Sequence, residues 1–169
     1  MHADKAQEQR LAHWISEYAE SILKMCFLYL SDRTLAEDAL QDTFFKAWRN
    51  IDQFEARNNS TERTWLMRIA INVCHDYHRS RWFRHVDMNK ALEDLPPALT
   101  TISDADRTLF LDISRLPEKQ KQVVLLYYYH DMTFRETAAI LNIGESAVRY
   151  RLKKALATLR INWPEEELL

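Results

Sequence analysis

Thr133-Phe-Arg-Glu-Thr-Ala-Ala-Ile-Leu-Asn-Ile-Gly-Glu-Ser-Ala-Val-Arg-Tyr-Arg-Leu-Lys-Lys-Ala-Leu-Ala-Thr-Leu-Arg160 is the stretch on which the reading of this chain turns. Thr133 and Glu136 stand at the spacing of a capping box, in which hydroxyl and carboxylate each satisfy a free backbone amide at a helix start. A short helix with Ala138, Ala139 and Leu141 follows. Asn142-Ile143-Gly144 then forms a tight turn, and Asn tolerates the left-handed backbone that a helix end often needs. A longer helix runs from Glu145 to about Ile161, with Val148, Leu152, Ala155, Leu156 and Leu159 inward. Helix, three-residue turn and basic helix together make a helix-turn-helix. Removing the inward stripe leaves Arg149, Tyr150, Lys153 and Lys154 on the outer face, with Ser146 near its start. An α-helix fits the major groove of DNA, where Arg and Lys donate to guanine or to phosphate. The plainer alternative is a solvated basic face on a helical hairpin. Cap, turn and basic face coincide, which favours DNA.

Working outward, the 169 residues hold one glycine, Gly144, and four prolines. Phosphate-cradling loops need several glycines, so a nucleotide-dependent enzyme is disfavoured. Tight hairpins are equally unsupported, and an all-α fold is expected. Hydrophobic residues make up 47% and charged residues 28%, enough for one mid-sized domain or two small ones. No apolar run approaches the roughly 20 residues that span a bilayer, so no membrane insertion is expected. Met1 to Arg10 is polar and unlike a secretory signal, and a cytoplasmic location is expected. Cys26 and Cys74 form no C-x-x-C pair and fall at apolar helical positions, where they read as small buried hydrophobes. No cofactor or metal is expected.

Net charge is −2, which is unexpected for a DNA-binding protein, but the average hides a pattern. Leu35 to Glu55 carries five acids against two bases, Arg63 to Arg84 five arginines against one acid, and Thr133 to Arg160 six bases against two acids. Local fields rather than net charge govern contact with nucleic acid.

A first helix is expected from about Ala6 to Leu30, with Leu11, Trp14, Ile15, Tyr18, Ile22, Cys26 and Tyr29 in one apolar stripe. A second starts at Thr34, where Thr34 and Glu37 suggest another capping box, and buries Ala36, Leu40, Ala47 and Ile51. Phe54 to Asn59 reads as a loop, with Asn58-Asn59-Ser60 as turn and cap. A third runs from about Thr61 to Trp82, with Leu66, Ile69, Ala70, Val73 and Tyr77 inward. These make a helical domain over 1–84. From 85 to 107 the pattern decays around Pro96-Pro97, and an interdomain linker with at most short helical turns is expected. A smaller domain over 108–164 opens with Leu116-Pro117 and a helix bearing Val123, Val124, Leu126 and Tyr127, and a tail of 165–169 follows.

Two further faces carry information. On the third helix, Arg68, Asn72, Asp76 and Arg79 form one polar face bracketed by the aromatics Phe54, Trp65, Tyr77, Trp82 and Phe83. Bases with aromatics suit single-stranded nucleic acid, with stacking worth about 1–3 kcal/mol per base. Trp65 and Tyr77 fit a core role equally well. On the second helix, Asp38, Gln41, Asp42, Phe45 and Arg49 share one face. It reads as a solvated acidic surface, except that Phe45 among acids suggests a partner.

Leu35-Ala-Glu-Asp-Ala-Leu-Gln-Asp-Thr-Phe-Phe-Lys-Ala-Trp48, Thr64-Trp-Leu-Met-Arg-Ile-Ala-Ile-Asn72, Leu116-Pro-Glu-Lys-Gln-Lys-Gln-Val-Val-Leu-Leu126 and the helix-turn-helix after them resemble the extracytoplasmic-function (ECF) sigma factors of bacterial RNA polymerase. The resemblance runs from about Ile15 to Arg160, with four motifs in order and at the right spacing. It implies the second and fourth helical domains of that family, joined by a linker. By that resemblance Asp38, Gln41, Asp42 and Phe45 dock on the clamp helices of the polymerase largest subunit. Trp65, Arg68, Asn72, Asp76 and Arg79, with the loop from Phe54 to Thr61, take the single-stranded −10 element, one base being flipped into a pocket by the loop. Ser146, Arg149, Tyr150, Lys153 and Lys154 read the −35 duplex. An anti-sigma factor, often membrane-bound in this family, is an implied partner. Gly144 replaces a common Ser or Pro, which weakens the cap of the last helix, and Tyr150 is bulkier than the usual small polar residue. The short stretch after the helix-turn-helix leaves no extra regulatory domain expected.

The main competitor is a conventional helix-turn-helix regulator with an N-terminal sensing domain, in which the first domain's arginine and aromatic face has no role. A helical protein that occupies polymerase without reading promoters is another. An enzyme is remote, because His13, His75, His78, His85 and His130 form no H-E-x-x-H pattern and no nucleophile–base pair is legible.

Overall fold

A computed structural model describes residues 2–56, 61–80, 88–95 and 103–159, and among these every regular element is helical. The chain divides into two compact units, Met1–Val86 and Asp87–Leu169.

The first unit is built on α1, His2–Leu30. Its second half is buried all round from Ile22 to Leu30, except Lys24, because α2 (Arg33–Arg49) and α4 (Glu62–Ser80) both pack against it. Its first half buries Trp14 completely but leaves Ile15 43% exposed, so the expected apolar stripe is too wide there. Leu11 and Tyr18 are half-buried. Ser31 ends α1 in the left-handed region at φ 54°.

Asp32, not Thr34, caps α2, accepting from the Leu35 amide at 2.9 Å. The helix therefore starts at Arg33, and the expected Thr34–Glu37 box does not form. Glu37 lies one turn from Arg33 instead and accepts from its Nε at 3.0 Å. Leu40 is half-buried, while Ala36 and Ala47 are buried as expected.

The stretch read as a loop after α2 is also corrected. The Asn50 carbonyl accepts from Gln53 and Phe54, and the chain re-enters a short helix, α3, Ile51–Ala56. Burial is the reason. Ile51 is 3% exposed, and Phe54 packs edge-on to Trp14 (5.7 Å, 90°) and tilted against Trp65 (5.3 Å), while Trp14 and Trp65 lie 5.4 Å apart. The turn residues Asn58 to Ser60, and Trp82 and Phe83, lie outside the described residues. Thr61 starts α4, its hydroxyl accepting the Thr64 amide at 3.1 Å. Leu66, Ala70 and Val73 are buried as expected, whereas Ile69 and Tyr77 are half-buried. Cys26 of α1 and Cys74 of α4 are fully buried and meet thiol to thiol, and burial holds the Cys74 thiol well above the usual range. Inert packing groups are what such an environment makes.

In the second unit, α5 (Met88–Glu93) forms inside the stretch expected to be a linker. It buries Ala91 and Leu92 and packs on α6 (Asp104–Ser114). Residues 96–102, with Pro96-Pro97, lie outside the described residues. Pro117 precedes α7, Glu118–Val123, its carbonyl accepting from Gln120 and Lys121. The helix then widens into a π-helical stretch, Val124–Tyr129, closed by His130 N–H to Leu125 O at 3.1 Å and by Asp131 at φ 53°. This widening has no sequence signal of the kind that marks caps and turns. The helices α8, Phe134–Leu141, and α9, Glu145–Leu159, complete the unit.

Lys121 is 5% exposed, and burial pushes its ammonium down to about 8 despite the nearby Glu118 carboxylate. The unfolded chain holds that proton to about 10.5, so between about pH 8 and 10.5 unfolding takes up a proton and stability rises with pH. Below that window the folded state carries the full cost of a buried cation. Lys121→Met keeps the length and removes the charge. The expected result is a gain of about 1–3 kcal/mol at pH 7 by urea denaturation, shrinking towards zero by about pH 10.5. Equal gains at pH 7 and 10.5 would remove the charge from the explanation.

Candidate nucleic-acid interface

Local backbone devices set the α8–α9 geometry. Thr133 Oγ1 accepts from the Glu136 amide at 3.0 Å and Glu136 Oε2 accepts from the Thr133 amide at 2.8 Å, closing the expected capping box. Asn142 ends α8 in the left-handed region (φ 54°, ψ 48°), and Ile143 N–H reaches back to Ala138 O at 3.0 Å. Gly144 offers its carbonyl to Ala147 and Val148 but no side-chain cap.

On α9, Val148, Leu152, Ala155 and Leu156 are buried, so the opposite face is fixed outward. Ser146, Tyr150, Lys153 and Lys154 are exposed there, with Tyr150 at 59%. Lys154 Nζ lies 4.9 Å above the Tyr150 ring. Arg149 is half-buried, pairs with Glu145 at 3.6 Å, and sits 4.9 Å over the Phe134 ring. Phe134 in turn stacks on Tyr127. Sequence reading missed these two rings, because neither lies on α9 and Tyr127 is turned by the π stretch.

On α4, Asn72, Asp76 and Arg79 are exposed and Arg68 is half-buried. Trp65 is 6% exposed and committed to the Trp14–Phe54 cluster, so of its two sequence readings the structure places it in the core rather than on the strand-facing surface. Tyr77 Oη donates to Asp42 Oδ2 at 2.5 Å, tying α4 to α2. That bond, then burial and the carboxylates of Asp42 and Asp38, raise the phenol to about 12.

On α2, Asp38, Gln41, Asp42 and Phe45 are all exposed, Phe45 at 59%, with the Arg49 guanidinium 5.7 Å from its ring. Phe45 is thus exposed on the same face of α2 as the Asp38 and Asp42 carboxylates. An open cleft of about 270 Å³ between α2 and α4, lined by Asp42, Lys46, Val73, Asp76, Tyr77 and Ser80, joins this face to the polar face of α4. Among the described residues no His, Cys, Asp and Glu cluster suited to a metal occurs, and no helix is long and apolar enough to cross a membrane.

Residues 14–84 match the sigma-70 region 2 family and residues 113–159 match sigma-70 region 4. The chain is 27% identical over 170 residues to the ECF RNA polymerase sigma factor SigW of Bacillus subtilis, covering 92% of this chain and 90% of that one. Its fold is similar to that of the sigma factor RpoE in complex with the anti-sigma factor NepR from Bartonella quintana. That match has a TM-score of 0.71 and 19% identity, over 92% of this chain and 99% of that one. The structure of CnrH in complex with the cytosolic domain of CnrY matches with a TM-score of 0.69 and 25% identity, over 94% and 92% of the two chains. Region 2 and region 4 stand in order on one chain, on the units that carry the polar face of α4 and the basic face of α9, and the chain belongs to the ECF sigma factors.

Proposed function

We propose that this chain binds core RNA polymerase and directs it to promoters, with 1–84 as the family's second domain, 108–164 as its fourth and 85–107 joining them. One observation carries the reading. The first unit presents an acidic and aromatic face on α2 beside a polar face on α4, while α9 of the second unit presents a basic one. A conventional regulator uses only the last of these.

In this reading Asp38, Gln41, Asp42 and Phe45 dock on the clamp helices of the polymerase largest subunit. Phe45 is the apolar anchor and the carboxylates select a basic partner. Arg68, Asn72, Asp76 and Arg79 take the single-stranded −10 element. The arginines neutralise phosphate, while Asn72 and Asp76 offer hydrogen bonds to unpaired base edges. Trp65 supports α4 from the core. Ser146, Arg149, Tyr150, Lys153 and Lys154 engage the −35 duplex in its major groove. Neither DNA contact need be tight alone, because polymerase joins them and raises their effective concentration. The chain works in the cytoplasm without cofactor or catalytic residue and is held in check by an anti-sigma factor. The complex of the sigma factor RpoE with the anti-sigma factor NepR supports that partner.

Asn72→Ala separates strand capture from duplex binding. With core polymerase and a promoter fragment, permanganate reactivity of unpaired thymines is expected to fall about 5- to 100-fold, with polymerase retained on the duplex. Unchanged thymine reactivity would remove α4 from the strand-binding role.

A further inference from the structure

Arg149 is held by a stack drawn from three separate elements. The rings of Tyr127, in the π stretch, and Phe134, the first residue of α8, lie with centroids 4.4 Å apart and planes within 2° of parallel. The Arg149 guanidinium carbon lies 4.9 Å from the Phe134 centroid. A planar guanidinium is attracted to the face of an aromatic ring and keeps its donors in a fixed fork. The Arg149 side chain is 34% exposed, its Nε is buried, and Glu145 Oε2 holds a terminal nitrogen at 3.6 Å. A long flexible side chain is thus restrained before any ligand arrives, and its remaining freedom is small.

Each layer is placed by its own backbone device. The five-residue hydrogen-bond spacing at Leu125–His130 sets the register of Tyr127. The Thr133–Glu136 capping box sets the start of α8 and hence Phe134. The buried stripe of α9 sets Arg149. The Lys154–Tyr150 pair on the same face is different. Both residues lie on α9, and Tyr150 is 59% exposed, so among the described residues no second element packs its ring as Tyr127 packs Phe134.

The geometry points to Phe134, backed by Tyr127, as a positioning residue that fixes Arg149 for base recognition in the upstream duplex, a specificity determinant acting through the arginine. This rests on the reading that α9 engages that duplex. A preorganised arginine loses little freedom on binding, and its fork meets one base-pair step rather than sweeping across several. Phe134→Leu keeps an apolar residue but removes the platform, and Phe134→Tyr keeps the platform.

The test uses the full chain with core polymerase, selecting from a promoter library randomised across the upstream element, with base preference read at each position. Arg149→Ala is expected to erase preference at one or two neighbouring base pairs. Phe134→Leu is expected to blunt preference at those same base pairs about 3- to 10-fold, leaving the other positions unchanged. Phe134→Tyr retains it, and Phe134→Leu added to Arg149→Ala costs nothing more. Tyr127→Leu, a second variant against misfolding of the first, blunts the same positions more weakly. Phe134→Leu with wild-type preference, or with loss spread evenly over all positions, overturns the positioning role. Arg149→Ala with wild-type preference overturns the reading of α9 itself, and the positioning role with it.

Discussion

Changing Asp38 to Lys together with Phe45 to Ala is expected to weaken binding to core polymerase about 100- to 1,000-fold, with little change in thermal midpoint. Phe45 is 59% exposed and Asp38 is exposed, so neither supports the fold of the first unit. A buried aromatic anchor at an interface is typically worth about 2 kcal/mol or more. Placing a cation against a surface selected for carboxylates costs several kcal/mol. At about 1.4 kcal/mol per tenfold, and with the two changes not additive, two to three orders of magnitude result. Asp42 is a poorer choice for this test. Tyr77 donates to it, so its removal also loosens the tie between α2 and α4. Competition against the unaltered chain for a fixed amount of core checks the expectation. A loss under about threefold would mean that this face is solvated surface, the plainer reading of its spacing.

Trp14→Ala is expected to lower the stability of the first unit by about 3–5 kcal/mol. Trp14 is fully buried and meets both Phe54 and Trp65, which already pack on each other, so its removal opens a large cavity beside them. For a unit of this size the midpoint should fall by about 15–30 °C. Trp14→Phe keeps a ring in the cluster, and its cost should stay below about 2 kcal/mol. Urea denaturation of the two variants measures both. A loss with Ala no larger than with Phe would contradict the view that this cluster holds α1, α3 and α4 together. The cluster also explains why α3 exists, since Phe54 reaches both tryptophans from a helical segment.

Most of the helix-turn-helix was legible in the sequence, although Leu159, expected inward, is only half-buried. Its capping box, left-handed Asn142 and buried stripe of Val148, Leu152, Ala155 and Leu156 all follow from local chemistry, where sequence and structure share one length scale. The beginning of α2 was misread because two capping residues compete within three positions, and Asp32 offers the better acceptor to Leu35. α3 was missed because Asn58-Asn59-Ser60 is a strong turn signal, while the packing of Phe54 on Trp14 and Trp65 comes from residues far along the chain. Ile15 departs from its expected place in the apolar stripe, and Trp65 fits two readings, for the same reason, since periodicity gives the direction of a side chain but not what stands opposite. The stack on Arg149 was beyond sequence reading altogether. It needs the π register of Tyr127 and the α8–α9 crossing, neither of which a motif records.

In the proposed function the acidic face of α2, the polar face of α4 and the basic face of α9 serve one act, the placing of polymerase at promoters. Run-off transcription with purified chain, bacterial core polymerase and fragmented genomic DNA, with the 5′ ends of the transcripts sequenced, tests it directly. The expected result is a small set of discrete start sites sharing two upstream motifs, absent without the chain and lost with either Asn72→Ala or Arg149→Ala. Polymerase from the chain's own source that binds it yet yields no promoter-specific start sites would contradict the account.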